Sequence, residues 1–107
     1  MDGLMQCTIT ATCDGHLVAV AGEVDMTTAP ALTETLVQFA NGAVVADLSA
    51  VTFLDSSGLD ALVVAHQHVQ RRGGEFVIRG ATPNQMRVFE LSSLDRYFTL
   101  DRCGATP

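Results

Sequence analysis

Apolar residues recur along the chain with two different periods, and each change of period predicts a new element. Residues 4–12 alternate apolar and polar positions and are rich in Thr, which predicts a β-strand. A turn at 13–16 precedes the apolar run 17–21, which predicts a second, short strand. We expect these two strands to pair as an antiparallel hairpin.

Three helices are predicted between the later strands. The first is capped by Thr28, and Asn41-Gly42 ends it. The second runs from about Ser57 to Arg72, and the third begins with the capping-box pattern Thr82-Pro83-Asn84-Gln85 and ends near residue 92. Apolar residues that are three and four positions apart lie on the same side of a helix, which gives each helix one apolar stripe. The stripes are Leu32, Leu36, Phe39 and Ala40, then Leu59, Leu62, Val63, His66 and Val69, then Met86 and Phe89.

Further strands are predicted at residues 43–48, 75–79 and 97–101, which gives the order β-β-α-β-α-β-α-β. Strands that alternate with helices predict an α/β fold with a mixed sheet and parallel β-α-β crossovers. A chain of 107 residues with 48% hydrophobic and 17% charged residues is typical of one globular domain. We expect a single domain over residues 1–107, with its core at about 4–102.

The charge balance narrows the classes of partner. The chain has twelve acidic residues, six arginines and no lysine, and its net charge is −6. Such a surface repels phosphate backbones and anionic lipids, so we expect no direct nucleic-acid partner and no membrane partner. The missing lysine excludes a P-loop lysine and a Schiff base. No apolar run reaches about 18 residues, and the N-terminus lacks the pattern of a signal peptide, so a cytoplasmic location is expected.

The cysteines and histidines match no metal motif. Cys7, Cys13 and Cys103 are odd in number and irregularly spaced, which favours reduced thiols. His66 and His68 lie about 200° apart around a helix, so they cannot share a metal ion. We therefore predict no metal site and no cofactor.

The segment 53–59 carries the candidate chemistry, because it joins an apolar strand to a helix. Ser57 and Asp60 have capping-box spacing, so we expect backbone N–H groups to occupy the Ser57 hydroxyl and leave that of Ser56 free. Gly58 has no side chain and would let a partner approach the backbone. The same pattern also fits a simple helix cap after a buried strand. Neither a G-x-S-x-G motif nor a histidine at a fixed spacing accompanies Ser56, so it is not predicted to be a catalytic nucleophile.

The wider order of motifs resembles the bacterial anti-sigma factor antagonists, which are single-domain proteins of the STAS family. The resemblance covers roughly residues 4–102 and implies a compact domain whose sheet is backed by helices on one side. The motifs that carry it are Gly22-Glu23-Val24-Asp25, Thr28-Ala29-Pro30, Asp47-Leu48, Phe53-Leu54-Asp55-Ser56-Ser57-Gly58-Leu59, Gly73-Gly74 and Leu91-Ser92-Ser93-Leu94.

The resemblance implies a binding protein that is the substrate of an enzyme and not an enzyme itself. Such proteins bind an anti-sigma factor, a serine kinase, and so release the sigma factor. The kinase phosphorylates the first serine of the motif, here Ser56, and a PP2C-type phosphatase removes the phosphate. The expected partner-binding residues are Asp25, Asp55, Ser57, Gly58 and Leu59. Met26 and Leu59 either pack in the core or face the partner.

The same resemblance and composition are compatible with two other functions. STAS-like domains also serve as constitutive accessory subunits of transport ATPases or as parts of signalling scaffolds, although the presence of Ser56 favours the switch. A regulator that responds to oxidation of Cys7, Cys13 or Cys103 is the third possibility. Asp60 departs from the family pattern, where a small residue is common, and adds a carboxylate beside the acceptor serine.

Overall fold

In the part of the chain that the structure describes, five strands and three helices follow one another in the predicted order. The computed structural model describes residues 5–13, 15–38 and 42–101. The elements are β1 (Gln6–Ala11), β2 (Gly15–Val24), α1 (Ala29–Gln38), β3 (Ala43–Leu54), α2 (Ser56–Arg71), β4 (Glu75–Arg79), α3 (Pro83–Leu91) and β5 (Thr99–Asp101). None of the helices in these ranges is both long and apolar enough to cross a lipid bilayer.

The strands form one mixed sheet in the order β1-β2-β3-β4-β5. The β1–β2 pair is the predicted antiparallel hairpin, and its turn is closed by a 2.8 Å hydrogen bond from Thr12 N–H to the Gly15 carbonyl. The other pairs are parallel. Each β-α-β crossover steps to the next strand in the same direction, and right-handed crossovers of this kind place all three helices on one face.

Burial along the central strands agrees with helices on one face of the sheet. Alternate side chains are buried under the helices, and the residues between them are partly or fully exposed. The buried set on the three central strands is Val18, Val20, Val24, Val44, Ala46, Leu48, Val51, Phe76 and Ile78. The helices contribute Leu32, Leu36, Leu62, Val69 and Phe89 from the predicted stripes. Phe39, Ala40 and Asn41 lie outside the described residues.

Two strands are longer than their apolar runs predict. The second strand covers Gly15–Val24 instead of 17–21, and the third covers Ala43–Leu54 instead of 43–48. Two register shifts in the β2–β3 ladder each add one residue to β3. An inserted residue interrupts the period of two, so residues 49–54 lack the alternation that marks a strand in sequence.

His66 is buried within a cluster of aromatic rings, as its place on the apolar stripe of α2 predicts. It is 5% exposed, and its ring centroid lies 4.5 Å from that of Tyr97, 5.8 Å from that of Phe98 and 6.0 Å from that of Phe76. Its Nδ1 atom has no hydrogen-bond partner among the described residues. Burial lowers the pKa of His66 from its usual 6.5, because removing the ring from water disfavours the charged form.

This environment predicts that acid destabilises the fold through His66. The pKa is lower in the folded chain than in the unfolded one, so the unfolded chain binds more protons as the pH falls through 6.5. The free energy of unfolding should therefore decrease between about pH 7.5 and 5.5, and His66→Phe should reduce that slope while keeping a ring in the cluster. Urea unfolding across this pH range measures both slopes, and equal slopes would contradict the prediction.

Candidate functional site

The ends of two neighbouring parallel strands bring the motif residues together. Val24 pairs with Leu54 at the carboxyl ends of β2 and β3, and Asp25 and Asp55 follow them directly. The Asp55 N–H donates to the Val24 carbonyl at 3.2 Å, which ties the two loops to each other. The loop before α1 and the loop before α2 therefore lie side by side at one edge of the sheet.

Asp55, and not Ser57, caps α2. The Asp55 Oδ1 atom accepts hydrogen bonds from the backbone N–H groups of Ser57 at 2.9 Å and Gly58 at 3.2 Å. The prediction of a Ser57 cap is wrong, because β3 continues to Leu54 and leaves only one residue between strand and helix. Ser56 is the first helical residue and is exposed, and its hydroxyl has no hydrogen-bond partner among residues 5–13, 15–38 and 42–101.

Asp25 orders the turn that precedes α1. Its Oδ1 atom accepts from the N–H groups of Thr27 at 2.9 Å and Thr28 at 3.2 Å. The Thr28 hydroxyl does not cap the helix as predicted; it accepts from the Asp25 N–H at 3.0 Å and donates to the Glu23 carbonyl at 2.9 Å. An aspartate thus orders each of the two loops, and the carboxylate of each is engaged with its own backbone.

Gly58 and Leu59 lie below the surface of the site. A Cβ atom on Gly58 would lie 2.5 Å from Leu54 Cδ1 and 2.9 Å from Val24 Cγ1, so α2 approaches the sheet more closely than a larger residue would permit. Leu59 belongs to the buried core. The space beside Gly58 is filled by this chain, which makes both residues supports of the loop. Their expected contact with a partner remains a prediction.

A shallow groove between α1 and α2 borders the site, and the motif pattern did not reveal it. It is lined by Met26, Pro30, Thr33, Ser57, Asp60 and Val64. Met26 is 77% exposed, which places it on the surface, unlike Leu59. The sequence signal is Val64, an apolar residue off the buried stripe of α2. An exposed Met beside a groove is typical of an adaptable contact surface.

The end of the molecule that carries Ser56 is acidic. Glu23, Asp25, Asp55 and Asp60 lie on or next to the two loops, and Asp60 is one helical turn from Ser56. All six arginines follow residue 70 in the sequence. The cations of α2, Arg71 and its neighbour Arg72, are at the far end of a 16-residue helix, about 24 Å away.

Comparison with known proteins identifies the family. The profile of the STAS domain matches residues 8–104, which is most of the chain. This chain belongs to the STAS domain family. The resemblance inferred from the motifs is thereby confirmed, and the STAS domain accounts for the mixed sheet and its three helices.

Several relatives carry names that refer to sigma-factor regulation. The chain is similar to an anti-sigma-B factor antagonist of Listeria monocytogenes, with 38% identity over 80 residues that cover 72% of this chain and 70% of the relative. It is 33% identical over 81 residues to the anti-sigma-B factor antagonist of Bacillus subtilis, covering 72% of each chain. Among solved structures, an anti-sigma factor antagonist from Mycobacterium paratuberculosis matches with a TM-score of 0.81 and 33% identity, over 94% of this chain and 87% of that one.

Asp55 is predicted to stabilise the STAS domain through its cap. Asp55→Ala should lower the free energy of unfolding by about 1 kcal/mol, because two N–H groups of α2 lose their acceptor. Asp55→Asn should lower it less, since the amide oxygen can still accept. Asp60→Ala is the matched control, an exposed carboxylate near the same helix end, and should change stability by less than about 0.5 kcal/mol. Urea unfolding compares the three variants, and equal effects of the two alanine substitutions would refute the role of the cap.

Proposed function

We propose that this STAS domain is an anti-anti-sigma factor controlled by phosphorylation of Ser56. In the unphosphorylated form it binds an anti-sigma factor that is a serine kinase, and the sigma factor is released. The observation that carries the proposal is the exposed Ser56 hydroxyl at the first position of α2, beside the ordered Asp25 loop. The relatives named anti-sigma-B factor antagonist support the same function.

The position of Ser56 suits a side chain that a kinase phosphorylates. A kinase needs an accessible hydroxyl on a defined backbone, and the Asp55 cap holds that backbone from both sides of the serine. Ser57 is half-buried and lines the groove, so it is the poorer acceptor.

A phosphate on Ser56 would act mainly on the complex. It adds about −1.5 to −2 charges at neutral pH. Asp60 and Asp55 are close in the chain and oppose this charge, and a partner surface that fits the acidic loops would have to desolvate it. A hundredfold loss of affinity requires only about 2.8 kcal/mol. Electrostatic repulsion and desolvation therefore suffice, and the fold need not rearrange.

The switch is tested by phosphorylation with candidate anti-sigma kinases and ATP, followed by mass spectrometry. Phosphate is expected on Ser56, retained in Ser57→Ala and lost in Ser56→Ala. The phosphorylated protein should bind its kinase about a hundredfold more weakly, which calorimetry measures. A PP2C-type phosphatase should restore the affinity. Equal affinities of the two forms would refute the switch, and failure of every kinase to modify the folded protein would favour the constitutive accessory subunit.

The acidic loops and the groove between α1 and α2 define the kind of surface that the anti-sigma factor must offer. We expect cationic side chains opposite the carboxylates and an apolar pocket for Met26, which projects from the loop beside Ser56. An exposed apolar side chain at the centre of an interface often contributes a large share of the binding energy.

Met26 is therefore predicted to be a binding hot spot. Met26→Ala should weaken the complex with the anti-sigma factor about tenfold, or about 1.4 kcal/mol. Leu91→Ala is the matched control, because Leu91 is 81% exposed but lies at the end of α3. Both variants should keep the stability of the parent protein. Equal loss of affinity in the two variants would show that Met26 is not part of the interface.

A further inference from the structure

The edge of β3 that faces β4 is unpaired over its last residues. Pairing with β4 ends at Asp47 and Arg79, where the chain turns away at Gly80 with φ of +72°. A Cβ on Gly80 would lie 2.7 Å from Asp47 Oδ1 and 3.0 Å from Ser49 Cβ, so the turn passes directly over β3. Beyond it, residues 50–54 keep β2 on one side and have no strand on the other within the described ranges.

A groove lies between this unpaired edge of β3 and the helix α3. One wall is formed by Thr52, Phe53 and Leu54 of β3, and the other by Asn84, Gln85 and Val88 of α3. Phe53 is 50% exposed, an unusual position for a large aromatic residue on a strand. Among the residues that the structure describes, none that lines the groove is charged, although the chain as a whole has a net charge of −6.

The side chain of Gln85 forms a hydrogen bond with the unpaired edge of β3. Its Nε2 atom donates to the Val51 carbonyl at 3.3 Å, as an N–H of an adjacent strand would. The side chain is 6% exposed and its Oε1 atom accepts from the Thr82 N–H at 3.1 Å, so a side chain of this domain already satisfies the Val51 carbonyl. The same capping box satisfies the first turn of α3, which leaves that helix end a poor site for an anion.

We propose that this groove binds an extended, uncharged segment of a partner polypeptide, which adds a strand to residues 50–54 of β3 and displaces the Gln85 amide from the Val51 carbonyl. Backbone groups of the edge would supply hydrogen bonds, and alternate apolar side chains of the segment would pack on Phe53 and Val88. Five residues of strand are about 16 Å long, which suits a segment of five to seven residues. The uncharged lining provides no counter-ion for a charged side chain. Binding of this segment would require neither a phosphate on Ser56 nor the proposed anti-sigma function.

The test begins with a phage-displayed library of random heptapeptides selected against the full chain. Enriched peptides should be uncharged, with β-branched or aromatic residues at alternate positions. Synthetic copies should shift the amide NMR signals of residues 50–54. N-methylation of alternate peptide bonds should weaken binding at least tenfold, whereas N-methylation of the bonds between them should have little effect. An absence of enriched peptides, or equal effects at all peptide bonds, would overturn the proposal.

Variants of the two walls provide the matched control. Val88→Lys should lower affinity for the selected peptides at least tenfold, and Thr52→Arg at an exposed position of β3 repeats the test if the first variant loses stability. Val64→Lys on α2 lies outside the groove and should leave binding unchanged, as should Ser56→Ala. Peptide binding that survives both wall variants, or that is lost in Val64→Lys, would place the peptide elsewhere and refute the groove.

Discussion

The parallel register of β2 with β3 is the constraint on which the rest of the site depends. It pairs Val24 with Leu54 and so brings two loops to the same edge of the sheet. A shift of one residue would turn the side chains of one strand to the opposite face and expose core valines such as Val20. It would also separate Asp55 from the Val24 carbonyl. The burial of the core therefore fixes the positions of Asp25, Asp55 and Ser56.

Much of this arrangement can be predicted from local patterns. The described residues of the apolar stripes, the hairpin and the Thr82 capping box are confirmed because each depends on residues close in sequence. The family resemblance is confirmed as well, and it implied that Asp25 and the segment around Ser56 would face the same partner. Topology alone supports that expectation, since the carboxyl ends of adjacent parallel strands meet.

The errors occur where tertiary structure decides between local alternatives. Asp55 and Ser57 are both good N-cap residues, and only the length of β3 selects Asp55. That length is hidden in sequence, because two extra residues in β3 interrupt its alternation. The missing side chain of Gly58 is needed for close contact with Leu54 and Val24, and its expected contact with a partner stays a prediction. Close packing of a helix on a sheet produces no periodic pattern in the sequence.

The cap also explains why a phosphate at Ser56 would change binding more than folding. A phosphate at the start of a helix usually gains stability from unpaired N–H groups. Here Asp55 already accepts from the N–H groups of Ser57 and Gly58, so those donors are engaged before any modification. The nearby carboxylates repel the phosphate and so further reduce the stabilisation that it could give to the fold. On the proposed function, most of its free-energy cost would then fall on the complex, where a partner must approach and desolvate the added charge.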